Sequence, residues 1–311
     1  MSRALIAVLI QRVFSVFLVG FGVLVLVFAL LHLVPGDPVD AMLGETARPA
    51  DREALRERLG LDQSLPVQFA RYLGGLVRGD LGRSLYSDRA VTEMLAERLP
   101  ATLELGLAAL LLALSLALPL GILAALHPDG TWDRTAMGFS LLGVAVPNFW
   151  LGPVLILVFS LGLGWFPVSG RDAPGSLVLP AFTLGTAMAA ILARMVRSSL
   201  LEVLGEDYIR TARAKGLSPA TVVLRHGLRN ALLPVITLVG LQLGALLSGA
   251  VITETVFAWP GIGSLLVEHI QRRDYPVVQG CVLLIAMGYV VANQITDLFY
   301  TLADPRLRER T

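Results

Sequence analysis

The sequence predicts an all-α membrane protein with six transmembrane helices, because charged residues are scarce and are separated by long apolar runs. Of its 311 residues, 55% are hydrophobic and 16% are charged, whereas about 25% of a typical soluble domain is charged. The runs without Asp, Glu, Lys or Arg are 13–34, 105–126, 135–168, 173–193, 230–253 and 275–296. Each is long enough to cross a hydrocarbon layer of about 30 Å as a helix.

The apolar runs also predict how the chain is divided. We expect an N-terminal transmembrane helix in 1–34, an extracytoplasmic helical segment in 35–100, a core domain in 101–303 and a tail in 304–311. The spans of the core domain are expected at about 105–126, 137–161, 176–196, 230–252 and 276–299. Because the first apolar run is too long for a secretory signal, we expect the N-terminal helix to be retained.

The basic residues predict that both termini are cytoplasmic, since short cytoplasmic loops are enriched in Lys and Arg. The inner segments would then hold Arg3, Arg12, Arg134, Arg194, Arg197, Arg210, Arg213, Lys215, Arg225, Arg229, Arg306, Arg308 and Arg310. The two short outer loops would hold only Arg171, Arg272 and Arg273. Segment 35–100 is too long to report orientation, but "ADREALRERLGL" and "PVQFARYLGGLVRG" have the periodicity of helices.

A few polar residues lie in or beside the expected spans, and they are candidates for a transport pathway. They are Glu104 at the edge of the second span, Glu254 at the edge of the fifth and Asp297 near the end of the sixth. The alternative is that these carboxylates only face neighbouring helices near the membrane surface. Pro147 should kink the third span, with Asn148 able to satisfy the backbone groups that the kink frees. Asn148 is a further pathway candidate, and the kink could form a gate or serve only packing.

The basic stretch "YIRTARAKGLSP", residues 208–219, interrupts the apolar pattern and predicts two short helices joined by a hinge. A helical pattern that starts at Leu201 can end at Gly216, where a left-handed conformation costs little. Ser218 can then cap a second helix, with Pro219 in its first turn. Small residues here (Ala212, Ala214 and Gly216) would leave a low surface for another protein. The alternative is a loop that is basic only because it is cytoplasmic.

A second loop, "FAWPGIGSLLVEHIQRRDYP", returns to the outer face between the fifth and sixth spans. Pro260, Gly261 and Gly263 predict a turn, and Ser264 could cap a helix from Leu265 to Arg272. We call Trp259, Pro260, Gly261 and Gly263 the outer-mouth residues. The alternative is a membrane-surface helix with Trp259 as its anchor.

The sequence offers no catalytic or metal-binding machinery of its own. Its single lysine, Lys215, precedes Gly216, so a phosphate-binding loop of the form G-x-x-x-x-G-K-[ST] is excluded. The four histidines are scattered without the spacing of metal ligands. A net charge of +1 gives no basic field for nucleic acid. We therefore expect neither an enzyme nor a metal site, and we interpret the lone Cys281 as a small buried hydrophobe.

The stretch "EVLGEDYIRTARAKGLSPATVVLRHGLRNALLPVIT", residues 202–237, resembles the coupling segment of ABC-importer permeases. Ala212, Gly216 and Leu228 keep the general pattern, and the rest is similar to the peptide-permease branch, which reads R-T-A-R-A-K-G-L and H-x-L-R-N-A. Further fragments resemble this branch in the same order along the chain: "HLVPGDPV", "GDLGRS", "PATLELG", "VPNFW", "ETVFAWPGIG" and "RRDYPVVQG". The resemblance covers nearly the whole chain and is strongest to the first permease subunit of bacterial dipeptide importers.

The resemblance implies a type I ABC importer permease fold in a bacterial or archaeal cell membrane. It implies that the hinge docks on one or two cytoplasmic ATPase subunits, which hold the ATP and Mg, so that no cofactor is expected in this chain. The coupling residues would be Tyr208, Arg210, Thr211, Ala212, Arg213, Ala214, Lys215, Gly216, Leu217 and Ser218. The other implied partners are a second homologous permease subunit, an extracytoplasmic binding protein that the outer-mouth residues would face, and membrane lipid, but no nucleic acid.

The resemblance also implies a substrate class, namely dipeptides or short oligopeptides. Permeases for nickel and for glutathione share much of the same motif set and stay open as alternatives. A self-sufficient channel or secondary transporter is a different class, and an inverted repeat would favour it. No such repeat is apparent in the sequence.

Overall fold

The computed structural model describes residues 17–29, 38–43 and 48–303, and within them all regular secondary structure is helical apart from one isolated bridge between Arg83 and Ala90. The helices are α1 Phe17–Ala29, α2 Pro38–Leu43, α3 Pro49–Leu59, α4 Leu65–Val77, α5 Val91–Leu126, α6 Thr131–Ala145, α7 Asn148–Leu155, α8 Val178–Leu204, α9 Asp207–Ala214, α10 Pro219–Thr221, α11 Leu228–Val256, α12 Ile262–Gln271 and α13 Tyr275–Ala303. Two π-helical segments, Ile156–Gly162 and Val222–Gly227, follow α7 and α10. The all-α prediction is confirmed for these residues; Arg3, Arg12, His32 and the tail 304–311 lie outside them.

Four stretches of the described chain are long and apolar enough to cross a membrane. They are Val91–Leu126, Val178–Leu204, Pro219–Gly244 and Tyr275–Thr296. The pair Thr131–Ala145 and Asn148–Gly162 would supply a fifth span if it is counted as one broken helix. The first predicted span, 13–34, is described only as the apolar helix α1, Phe17–Ala29, which is shorter than a full span.

The second span is part of a much longer helix than the apolar run indicated. We expected a span from residue 105, whereas α5 begins at Val91. Glu104 ended the apolar run without ending the helix, which continues back through Glu93, Glu97 and Arg98. Charge therefore marks where a helix can enter lipid and not where the helix begins.

The third span is not a kinked helix but two helices with an angle of 101° between them. The break lies at Val146 and Pro147, both of which have extended backbone (ψ of 114° and 141°). Pro147 is therefore the helix breaker that the sequence predicted. The N–H groups of Trp150 and Leu151 donate to the Pro147 carbonyl, each at 3.0 Å. No hydrogen bond of the Asn148 side chain is found within the described residues, so its expected role stays a prediction.

The chain divides into two units, residues 1–102 with 260–287 and residues 103–259 with 288–311. In the second unit, α8 is central: 67% of its most apolar window is buried, and it packs against α6, α7 and α11. The close approach of α8 to its neighbouring helices depends on small residues at their contacts. A methyl group added at Gly143 of α6 would lie 2.5 Å from the Ala190 Cβ on α8. Contacts of this kind are typical of packed membrane helices.

The first unit contains α3 and α4, the two helices predicted from periodicity between the first and second spans. Gly60 ends α3 with a φ of 68°, and its N–H donates to the Glu57 carbonyl. The unit also has a hydrophobic core of residues from α5, α12 and α13. Cys281 is fully buried in this core, as expected for a small hydrophobe.

Candidate functional site

The basic hinge begins with a break that the sequence did not reveal. We expected one helix from Leu201 to Gly216, but α8 ends at Leu204 and α9 begins at Asp207. Between them, Glu206 has extended backbone with a ψ of 149°. The apolar spacing continues across this break, since a single extended residue hardly disturbs it. The expectation of one continuous helix is therefore wrong.

The turn between α9 and α10 forms as the sequence predicted. Gly216 has a φ of 77°, the left-handed conformation that glycine adopts without penalty. A methyl group added there would meet nothing within 4 Å, so the constraint at this position comes from the backbone alone. The Ser218 hydroxyl accepts a hydrogen bond from the Thr221 N–H at 3.3 Å, and Pro219 is the first residue of α10. Both capping predictions are confirmed.

One face of the hinge is packed against its own neighbours. Ile209 and Ala212 of α9 and Val222 of the following π-helical segment are 0%, 7% and 1% exposed and form a small core with Val203 and Leu204. Ala212 was expected on a low surface open to a partner. That expectation is wrong, because the next element folds back and covers it.

The other face of the hinge is exposed and basic. It presents Tyr208, Arg210, Thr211, Arg213, Ala214, Lys215, Gly216, Leu217 and Ser218. Arg210 forms an ion pair with Asp207 at 3.2 Å, whereas Arg213 and Lys215 have no ion pair within the described part of the chain. The Tyr208 hydroxyl accepts a hydrogen bond from the Asn230 Nδ2 at 2.8 Å, which ties α9 to α11. The hinge is thus a small rigid body with its cations directed outward.

A buried ion pair joins the helices beside the hinge, and sequence reasoning missed it. The Arg197 guanidinium of α8 donates from both Nε and Nη2 to the Asp133 carboxylate of α6, the second contact at 2.6 Å. The Asp133 side chain is 5% exposed and that of Arg197 is 24% exposed. The Asp129 N–H donates to Asp133 as well, at 2.9 Å. The available signal was an acidic residue directly before Arg134, in a short inner segment that also contains Asp129.

The outer-mouth residues are less accessible than we expected. Trp259 is 1% exposed, with the Arg171 guanidinium carbon 5.9 Å from the centre of its ring. Gly261 and Gly263 are buried, and Pro260 is half-buried. The roles of the outer-mouth residues as a partner surface or a membrane anchor stay predictions, and the Trp259 side chain is buried in this structure.

The helix after the outer-mouth turn starts earlier than we predicted. It spans Ile262–Gln271, so Ser264 is its third residue and not its cap. The Ser264 hydroxyl still satisfies the helix end, because it accepts from the Gly261 N–H at 3.1 Å. The Thr102 hydroxyl accepts from the Ile262 N–H at 2.8 Å.

A second polar network that the sequence did not indicate fixes the segment after this helix. Asp274 is fully buried. Its carboxylate accepts from the Ser84 hydroxyl at 2.6 Å and from the Leu85 N–H at 3.1 Å. The His269 Nδ1 lies 3.0 Å from the same carboxylate. Ser84 belongs to "GDLGRS" and Asp274 to "RRDYPVVQG". Two of the sequence fragments that resemble the peptide-permease branch are therefore in contact through polar side chains.

The structure describes the side chains of three of the four pathway candidates. Glu104 accepts a two-pronged contact from Arg171, at 2.9 and 2.5 Å. Glu254 is fully buried, and Asn148 is half-buried. Asp297 lies in α13, but its side chain is outside the described part of the structure. Nothing in these positions assigns a substrate-contacting role to any of them.

Apolar spans interrupted by an exposed basic hinge define a multi-pass membrane protein. The chain belongs to the family described as binding-protein-dependent transport system inner membrane component, whose model matches residues 117–309. The model of the N-terminal part of this family matches residues 5–106. The protein is therefore a multi-pass inner-membrane component of a transport system.

Named relatives agree with the family. The chain is 48% identical to the di/tripeptide transport system permease protein of Pseudomonas aeruginosa (strain UCBPP-PA14), over 93% of this chain and 95% of that one. It is 44% identical to the dipeptide transport system permease protein of Escherichia coli (strain K12), with the same coverage. It is also 44% identical to the glutathione transport system permease protein of the same strain, over 96% and 98%. The prediction of an ABC importer permease subunit, not an enzyme, is confirmed.

Solved structures support the fold. A chain of the inward-facing MetNI methionine ABC transporter matches with a TM-score of 0.57 at 20% identity, over 68% of this chain and 96% of that one. A chain of an amino acid ABC transporter matches with a TM-score of 0.50 at 16% identity, over 69% and 94%. At these identities the likeness concerns the fold alone, and it is the type I permease fold that we expected.

Proposed function

We propose that this protein is one of two permease subunits of an ATP-driven importer for dipeptides and short oligopeptides. An extracytoplasmic binding protein delivers the peptide, and cytoplasmic ATPase subunits, which hold ATP and Mg, supply the energy. The observation that carries the substrate class is 48% identity over 93% of the chain to a permease named for di- and tripeptides. The chain has no phosphate-binding loop, so the energy must come from another subunit.

The hinge supplies the structural support for the proposed coupling. Its buried side holds α9 against the start of the next helix, and its exposed side presents Arg213, Lys215 and Leu217 to the solvent. A helix pair that moves as a body can transmit a push from an ATPase to the membrane helices. We therefore propose residues 208–218, except the buried Ile209 and Ala212, as the surface that contacts the ATPase.

Glutathione is a second candidate substrate, because a permease named for it is 44% identical over 96% of the chain. It is itself a small peptide with free carboxylates, so the two assignments share their chemistry. Nickel remains the third alternative, and no cluster of metal ligands is found among the described residues.

We expect dipeptides to stimulate ATP hydrolysis by the complete transporter. The experiment reconstitutes both permease subunits, the ATPases and the binding protein in proteoliposomes. ATP hydrolysis and uptake are measured with a dipeptide, with glutathione, with nickel or with no solute. Dipeptide stimulation above the glutathione and nickel levels supports the proposal. Transport of nickel without transport of dipeptides would contradict it.

The proposed topology has six spans, both termini in the cytoplasm and residues 35–100 outside. We expect a cysteine at Ser64 to be labelled only from outside and one at Lys215 only from inside. Both positions are exposed, and Ser64 makes no capping hydrogen bond that a cysteine would disturb. Position 60 is unsuitable, because its φ of 68° requires glycine. A Cys281→Ala background removes the buried native thiol as a source of signal.

Labelling of intact cells and of inverted membrane vesicles with an impermeant maleimide provides the measurement. Equal labelling of both cysteines from one side would contradict the topology.

A further inference from the structure

The first unit contains a cavity of about 720 Å³ that the proposed transport cycle does not use. Its lining includes three arginines of the segment after α3, namely Arg71, Arg78 and Arg83, and one acidic residue, Asp80. A volume of this size suits a small ligand or a headgroup. The cavity is thus cationic on one side.

The three arginines differ in whether an acidic side chain already forms an ion pair with them. Arg83 forms an ion pair with Asp88 at 3.0 Å. Arg71 donates to the neutral Gln63 Oε1 at 2.7 Å, which orients its guanidinium, and it has no ion pair within the described part of the chain. Arg78 has no ion pair within the described residues. Two guanidinium groups therefore remain available for an anion, and guanidinium groups favour phosphate and carboxylate.

A second wall of the cavity is aromatic and includes a residue of the first apolar helix. Phe28 of α1 lines the cavity, and its ring lies 6.4 Å from that of Tyr72 in a stacked arrangement and 5.1 Å from that of Phe69. The aromatic row continues along α1 to Phe21 and the largely exposed Phe17. A ligand that fits both walls has an anionic head and an apolar tail.

Tyr72 adds a polar group to this site. Its hydroxyl oxygen is shielded from solvent and has no hydrogen-bond partner among the described residues. Burial raises the pKa of Tyr72 to about 12, so the hydroxyl keeps its proton and can donate at neutral pH. A buried donor without a partner costs stability, and a phosphate or glycerol oxygen would supply the acceptor.

We propose that this cavity binds the headgroup of an anionic phospholipid, with Arg71 and Arg78 on the phosphate and the acyl chains along α1. A free peptide would satisfy the arginines through its carboxylate, but it has no need of an aromatic row that runs along a membrane helix. The proposed topology determines only which leaflet supplies the lipid, and with residues 35–100 outside it is the outer leaflet.

The test measures lipid binding by the purified permease complex with native mass spectrometry. Equal amounts of phosphatidylglycerol and phosphatidylcholine are added, and we expect the wild type to retain more phosphatidylglycerol. Arg71→Gln and Arg78→Gln should each reduce that retention about tenfold, the loss expected for one charged hydrogen bond. Arg78→Lys keeps the charge and should retain most of the preference. Arg48→Gln, which removes an exposed arginine outside the cavity, is the matched control.

Added glycerol phosphate and added dipeptide distinguish the sources of the anion. If glycerol phosphate displaces phosphatidylglycerol, the site recognises the phosphate group itself. If phosphatidylglycerol stays bound in the presence of glycerol phosphate, the site requires the whole lipid. Displacement of phosphatidylglycerol by dipeptide would overturn the proposal in favour of a peptide site. An equal loss in Arg48→Gln, or no preference in the wild type, would also overturn it. Lipid binding is measured without transport, so this result stands apart from the test of the proposed function.

Discussion

Replacing Asp133 by asparagine is expected to destabilise the protein by about 3 kcal/mol, the lower end of the range for breaking a buried ion pair. The substitution keeps the size of the side chain but leaves the Arg197 guanidinium without its carboxylate. The Asp133 side chain is 5% exposed, so water can replace little of what is lost. Arg197 is 24% exposed, and this access to water is why we expect the lower end of the range.

The measurement is the midpoint of thermal unfolding of the purified protein in detergent. Asp129→Asn is a matched control, since it removes a carboxylate four residues away that makes no ion pair within the described residues. Asp129 has a φ of 62°, a conformation that asparagine tolerates, so its midpoint should stay near that of the wild type. Arg197→Lys should be intermediate, because lysine keeps the charge and loses the two-pronged geometry. Equal midpoints for Asp133→Asn and Asp129→Asn would contradict the importance of the pair.

Features set by neighbouring residues could be predicted from the sequence. Gly216, Ser218 and Pro219 fix a turn by their own backbone preferences, and the structure has that turn. Pro147 breaks the third span for the same local reason, but the angle of 101° follows from packing and could not be predicted. Apolar runs located the four spans and the broken fifth that the structure describes, because a membrane span requires a long apolar stretch.

Features set by distant residues could not be predicted. The burial of Ala212 depends on Val222, which folds back from the next element. Asp133 and Arg197 are 64 residues apart, and Ser84 and Asp274 are 190 apart. A single sequence gives no information about which distant residues meet. The buried parts of the candidate site were therefore found only in the structure.

The hinge provides the prediction with the largest effect on activity, and the structure changes which substitutions test it. Ala212→Glu is expected to disrupt the hinge itself, because its carboxylate would enter the small core with Ile209 and Val222. Burying an unpaired carboxylate costs several kcal/mol. The few apolar contacts of the hinge core cannot offset that cost. We expect loss of ATPase co-purification in this variant, but that loss would report misfolding of α9 and not the contact surface.

Two other substitutions test the contact surface with the hinge core intact. Gly216→Val forces a β-branched residue into a left-handed conformation, at about 1–2 kcal/mol, and changes the turn without touching the core. Leu217→Glu reverses the character of an exposed side chain beside that turn, 39% of which is accessible. Both should leave expression and the unfolding midpoint close to wild type and reduce ATPase co-purification and dipeptide-stimulated ATP hydrolysis by about tenfold or more, the effect of losing a central interface contact.

Ala220→Glu separates the contact surface from a general effect of added negative charge. It introduces the same side chain as Ala212→Glu at an exposed position of α10, outside residues 208–218. We expect near wild-type hydrolysis in this variant. If Gly216→Val and Leu217→Glu also hydrolyse ATP at the wild-type rate in proteoliposomes, the stretch is a basic loop fixed by topology alone. If Gly216→Val and Leu217→Glu lose dipeptide-stimulated ATP hydrolysis, keep the wild-type unfolding midpoint and differ in this from Ala220→Glu, the exposed face of the hinge is the surface through which the ATPase drives transport.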